Sequence, residues 1–252
     1  KNKIMGYFTK TIDCEIPGSR QHVAAFAAGD LLFDWTGFEI PKGGAKLVGA
    51  TALIRGKGDA NATGNTFGFS LLFGRVGATI GTANAVAFLT GKITKDIYGS
   101  LEMEAADFMG TATANGSLSV ATTGGNKASS IVLTGDPLTP TSDTVGYDKF
   151  YVAGVAQGAF DFITLNRIND GDIDSASPGT TLVTDGSGMD IREQIMVGDE
   201  LVTHDDAAIG TVASLTSTTS TELTAALATG ILEDDDFVYV KHPITLQLHF
   251  EK

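Results

Sequence analysis

Asp170, Asp172 and Asp174 place three carboxylates at every second position. Calcium loops use that spacing because alternate side chains converge on one ion. The helix-flanked version of the loop also needs glycine at its sixth position and glutamate at its twelfth, where this chain has Ser175 and Thr181. No helical pattern borders the stretch, so it reads as a solvated acidic loop. Glu233-Asp234-Asp235-Asp236 is a run of like charge on a turn, and its side chains do not face a common point. His204 stands beside Asp205 and Asp206. Neighbours on a strand face opposite ways, so Asp205 is badly placed to orient His204. Ala207-Ala208-Ile209-Gly210 turns the segment into a hairpin.

The remaining chemistry-bearing residues are scattered. His22, His204, His242 and His249 do not cluster in sequence, and none has the spacing of a zinc motif. No serine lies in a GxSxG elbow. Gly74-Arg75-Val76-Gly77 and Thr123-Gly124-Gly125-Asn126 do not lead from a strand into a helix, as a phosphate cradle requires. The chain has 30 acidic residues, so paired carboxylates arise without design and no glycosidase pair stands out. The expectation is a protein with no catalytic, cofactor-binding or metal-binding residues, and not an enzyme.

The elements that would carry such residues are strands. Ile244, Leu246, Leu248 and Phe250 alternate with Thr245, Gln247 and His249, the pattern of a strand with one buried face. Phe67, Phe69, Leu71 and Phe73 share one face of another. Leu31, Phe33 and Trp35 are expected to point opposite to Leu32, Asp34 and Thr36. Residues 47–55, 130–134 and 147–155 read as further strands between glycine- and aspartate-bearing turns. Val197–Leu201, Ala208–Val212, a Thr/Ser-rich strand–turn–strand over Leu215–Leu223, and Phe237–Val240 read as a small β unit. Helical periodicity is confined to His22–Ala28 and Ser220–Gly230. Residues 57–66, 111–128 and 137–143 read as exposed loops, and residues 1–10 as a weakly structured arm. No internal repeat of fixed period is present.

Such strand spacing predicts an all-β protein: a β-sandwich, jelly-roll-like, over residues 1–165, and a smaller β-barrel-like domain over 166–252. The boundary near Leu165 follows from a change from aromatic-rich to Asp/Ser/Gly-rich sequence. The final strand is amphipathic like those of the first domain, so it returns there or pairs with a neighbouring subunit.

The 252 residues suffice for a sizeable core, and 42% of them are hydrophobic. Only 19% are charged, the difference being made up by Gly, Thr, Ser and Ala. That composition suits faces buried against copies of the chain or another flat surface. The net charge of −13, with 17 scattered Lys and Arg, excludes a nucleic-acid backbone as partner. The single cysteine, Cys14, allows no internal disulfide and reads as a half-buried strand thiol. No apolar run reaches the roughly 18–20 residues of a membrane-spanning helix, so no membrane partner is expected. The basic start, residues 1–6, is not followed by a signal-peptide apolar core, and assembly in the cytoplasm is expected.

Four segments carry a resemblance: LLFDWTGFEIPKGGAKLVGATALIRG (31–56), IGTANAVAF (80–88), LTGDPLTPTSDTVGYDKFYVAGVAQGAFDF (133–162) and VGDELVTHDDAAIGTVASL (197–215). Together they resemble virion structural proteins of tailed bacteriophages of the marine and cyanophage kind. The resemblance implies a capsid decoration, or cement, protein that bridges capsomers. Its partners would be the major capsid protein and copies of itself, as a homotrimer at threefold positions on the capsid surface. A tail, neck or fibre component is the alternative. A carbohydrate-binding adhesin is the rival of another class, and it would need an exposed aromatic platform. Trp35 is the only tryptophan, and its place on an alternating strand makes it a core residue. The resemblance transfers no functional residues.

Overall fold

The computed structural model describes residues 6–23, 25–55, 66–87, 95–108, 118–124, 131–134, 144–162, 179–183, 191–227, 230–232 and 236–252. In chain order its elements are β1 (Tyr7–Cys14), α1 (Gly18–Val23), β2 (Leu31–Pro41), β3 (Ala45–Arg55), β4 (Phe69–Gly74), β5 (Ile97–Met103), β6 (Leu118–Gly124), β7 (Val132–Leu133), β8 (Tyr147–Ala156), β9 (Thr181–Val183), β10 (Glu200–Thr203), β11 (Ala208–Leu215), β12 (Ser220–Leu223), β13 (Val238–Val240) and β14 (Ile244–Glu251). The protein is all-β, and every strand pairing among the described residues is antiparallel. No helix among the described residues is long and apolar enough to cross a membrane.

Two sheets form a sandwich, one in the order β1-β14-β3-β6 with β7 added beside β3, the other in the order β2-β8-β4-β5. Setting β7 aside, the pairs are first strand with eighth, second with seventh, third with sixth and fourth with fifth. Successive pairs fall on opposite sheets. This is a long antiparallel ribbon rolled on itself, a jelly roll. The alternation of β14 explains its central place: Ile244, Leu246, Leu248 and Phe250 are fully buried, and the strand is paired on both sides. Facing residues from the other sheet, among them Phe38, Phe69, Phe73 and Phe150, complete one core. At one end of the roll Phe67 and Phe26 stack on Phe160, and Phe162 meets all three edge-on.

The second unit is a five-stranded sheet, β13-β10-β11-β12-β9, with its own core of Leu182, Ile195, Leu201, Val212, Leu223 and their neighbours. Its strands leave the roll after β8 and hand the chain back to β14. It is therefore an insertion between the seventh and eighth strands of the roll. The expected boundary at Leu165 lies outside the described residues.

Several local expectations are corrected. The helix is Gly18–Val23, one turn opened by backbone bonds to the carbonyl of Pro17, instead of His22–Ala28. Ser220–Leu223 is a strand, β12, held between β11 and β9, in keeping with the strand–turn–strand pattern over Leu215–Leu223 and against the helical periodicity from Ser220. Leu118–Gly124, read as loop, is β6, because pairing along β3 supplies the hydrogen bonds that its small polar residues do not advertise. Tyr7–Lys10, read as arm, begins β1, and β14 zips to it along its whole length. Cys14 is fully buried instead of half-buried. In β2 the strict alternation fails. Irregular register at Leu31–Thr36 puts Leu32 and Phe33 in the main core, while Leu31 and Trp35 share a satellite cluster.

Candidate functional site

The two sheets of the roll present different outer faces. Outside β2, β8 and β4, the apolar residues Leu31, Trp35, Leu72, Ala153 and Val155 are packed with Ile80 and Ala87, so the chain following β4 caps its own sheet. Asp34 holds the cap by accepting a hydrogen bond from the Ile80 N–H at 3.2 Å. Trp35 is half-buried there against Gly74. Its fluorescence is accordingly expected to be blue-shifted and poorly quenched by acrylamide; emission and quenching like those of free tryptophan would contradict this packing.

The outer face of the β1-β14-β3-β6 sheet carries polar, uncharged side chains. A ladder of hydrogen-bonding side chains crosses all four strands. Thr9 Oγ1 lies 3.1 Å from His249 Nδ1, His249 Nε2 lies 3.2 Å from Thr51 Oγ1, and Thr51 Oγ1 lies 3.1 Å from Thr122 Oγ1. Thr245 adds a bond from its hydroxyl to Asp13 at 2.8 Å. Cross-strand pairs of this kind hold side chains in single rotamers and contribute about 0.2–1 kcal/mol each. Val48 and Leu53 lie half-buried on the same face. Charges stand only toward its ends, with Lys46 and Glu251 at one and Asp13 and Arg55 at the other.

At the end marked by Lys46 and Glu251 the face runs into a cleft of about 500 Å³ lined by Lys46, Lys252, Glu251, Thr134, Val132 and the Gly43–Gly44 turn. Both glycines have positive φ, and a Cβ on Gly44 would come within 2.8 Å of the Leu133 carbonyl oxygen. Lys252 Nζ donates to the Lys42 carbonyl at 2.7 Å, and Lys10 lies over the ring of Tyr147.

At the opposite end of the roll the insertion is tied down. Gln21 Nε2 donates to the carbonyls of Ile16 (2.6 Å) and Val240 (2.9 Å), and Ile16 N–H donates to Lys241. Asp206, in the left-handed region at φ 70°, accepts from both the N–H and the hydroxyl of Ser19. Asp199 accepts from Arg55 at 2.5 Å. Gly18 sits so close to β10 that a Cβ would fall 2.2 Å from the Thr203 carbonyl oxygen.

This junction also brings together two of the scattered histidines. The rings of His22 and His204 are 5.3 Å apart, and His22 Nδ1 is 2.7 Å from the Tyr239 hydroxyl. Burial pushes the Tyr239 hydroxyl far above the ordinary phenol range, so it stays protonated. Asp205 does not orient His204. It accepts from the Thr203 hydroxyl, which together with other local bonds holds its carboxyl below the usual range. The turn expected at His204–Asp206 is present at His204–Asp205, while Ala208–Gly210 already belongs to β11.

Among the described residues no three His, Cys, Asp or Glu side chains are grouped as metal ligands. The Cys14 thiol is raised well above its ordinary value, by burial first and Asp13 second, and it lacks thiolate character. Asp170, Asp172 and Asp174, and Glu233 to Asp235, lie outside the described residues. Sequence reading missed the threonine–histidine ladder and the lysine-lined cleft. The signal for the first was the alternation of Thr9 and Thr11 in one strand and of Thr245, Gln247 and His249 opposite the apolar set in the other. No family model matches the chain, and comparison with curated proteins and with solved structures likewise found no match.

Proposed function

We propose that this protein is a structural component of a tailed-phage particle, in the first place a capsid decoration protein that bridges capsomers and stabilises the head. The observation that carries the reading is the contrast between the two outer faces of the roll. One is capped by the chain's own residues, and the other, among the described residues, is an uncapped, side-chain-ordered face of Thr9, Thr51, Thr122 and His249. A face with few charges and rotamers already fixed loses little entropy when another surface covers it. The resemblance of the four sequence segments points the same way. On this reading the face docks on the major capsid protein or on sister copies arranged as a homotrimer, on the outside of a particle assembled in the host cytoplasm.

Immunogold labelling of intact particles with antibody to this protein tests the proposal. Label spread over the head is the expected result. Label confined to one vertex or to the tail moves the assignment to a neck, tail or fibre component. Particles without label overturn it.

A further inference from the structure

The charge of this chain is segregated. Residues 163–243 hold 15 acidic and 3 basic side chains, while the rest of the chain holds 15 and 14. Almost the whole net charge of −13 therefore belongs to the insertion. At the other end of the roll, Lys10, Lys42, Lys46 and Lys252 have no carboxylate within ion-pair distance among the described residues. Lys46 and Lys252 line the cleft of about 500 Å³ together with Glu251, the one acid there among the described residues, and exposed Tyr7 and Tyr147 flank this end of the roll. The two regions lie at opposite ends of β14. Ile244 starts at the junction, and Glu251 ends at the cleft, about 27 Å away for eight residues of strand.

We infer that the lysine-lined cleft is a docking site for the acidic insertion of a second copy, giving a head-to-tail contact. Charge complementarity within one chain selects this occupant: every copy carries both an insertion with 15 acidic against 3 basic residues in sequence and a cleft whose two lysines make no ion pair among the described residues. The described strands of the insertion stand away from the chain's own cleft. Gln21, Ser19 and Arg55 fix the insertion to the far end of the roll. The contact is heterologous, so it extends into rows or closes into rings according to its rotation. It is electrostatic and largely exposed, so salt weakens it. It does not depend on membership of a particle and uses a different surface from the threonine–histidine face.

Sedimentation velocity on the whole chain tests it. The sedimentation coefficient should rise with concentration at 20 mM salt, and association should weaken at least about tenfold at 300 mM. The double variant Lys46→Glu/Lys252→Glu, whose substitutions are at the surface, should stay monomeric alone. It keeps its acidic insertion, so mixed with wild type it should cap rows and shorten them. A monomer at low salt overturns the inference, as does a double variant that still self-associates or fails to bind wild type. Association that survives both charge reversals but is lost in Thr51→Arg assigns the contact to the sheet face and also overturns it.

Discussion

Phe250→Ala is expected to lower the unfolding free energy by about 3–5 kcal/mol, the range for deleting a buried phenyl group. Phe250 is fully buried in the last strand of the roll, its ring 5.2 Å from that of Phe8 and 6.2 Å from that of Phe38. It thus joins both sheets of the sandwich. Phe8 belongs to an edge strand and is itself only half-buried, so part of the space can collapse, but Phe38 is held by β8. The loss falls on a strand whose every residue is paired, β14, and the denaturation midpoint should drop without division into two transitions. Thr245→Ala on the opposite face removes one exposed hydrogen bond to Asp13 and should cost no more than about 1 kcal/mol. Equal losses for the two variants in guanidinium titrations would show that β14 is not buried as described.

That strand was also the most legible part of the sequence. Four apolar residues at period two, Ile244 to Phe250, identified both the strand and its buried face. Periodicity gave no information about partners. Nothing in β14 names β1 and β3 as neighbours, so its return across the insertion appeared only as one of two options. Legibility failed where pairing overrides local character. Leu118–Gly124 lies in a stretch of small and polar residues, yet β3 supplies its backbone bonds, whereas the strand–turn–strand pattern over Leu215–Leu223 did mark β12. It failed again at Leu31–Thr36, where irregular register sends Leu31 and Leu32 to different cores. The candidate surfaces were less legible still. His22 and His204 meet because α1 packs on β10, and the lysines of the cleft gather because strand ends from distant segments coincide. The shift to Asp/Ser/Gly-rich sequence near Leu165 was visible and was read as a boundary between domains; the described strands β9–β13 that follow form an insertion between two strands of the roll.

The junction that holds this insertion yields the second large effect. Arg55 and Asp199 are nearly buried, with side-chain exposures of 16% and 10%. Asp199 also accepts from the Met196 N–H at 2.8 Å, and Arg55 donates to the Met196 sulfur. Burial raises the Asp199 carboxyl above its ordinary value, against the opposing pull of Arg55 and of these hydrogen bonds. Desolvation therefore outweighs attraction, the situation in which a buried pair is costly to break but adds little as a whole. Arg55→Met and Asp199→Leu should each lose about 2–4 kcal/mol by leaving the partner buried and uncompensated, and the double variant should lose less than about 1.5 kcal/mol. The sign of the pH dependence follows from the same shift. The folded protein holds the Asp199 proton more tightly than the unfolded chain does, so this group's contribution is present at low pH. It is lost as pH rises from the ordinary carboxylate range through the raised folded value. Relative to wild type, the double variant should gain stability across that window and level off above it. Additive single losses, or a difference that runs the other way with pH, would show that the pair acts as a net stabiliser of the junction.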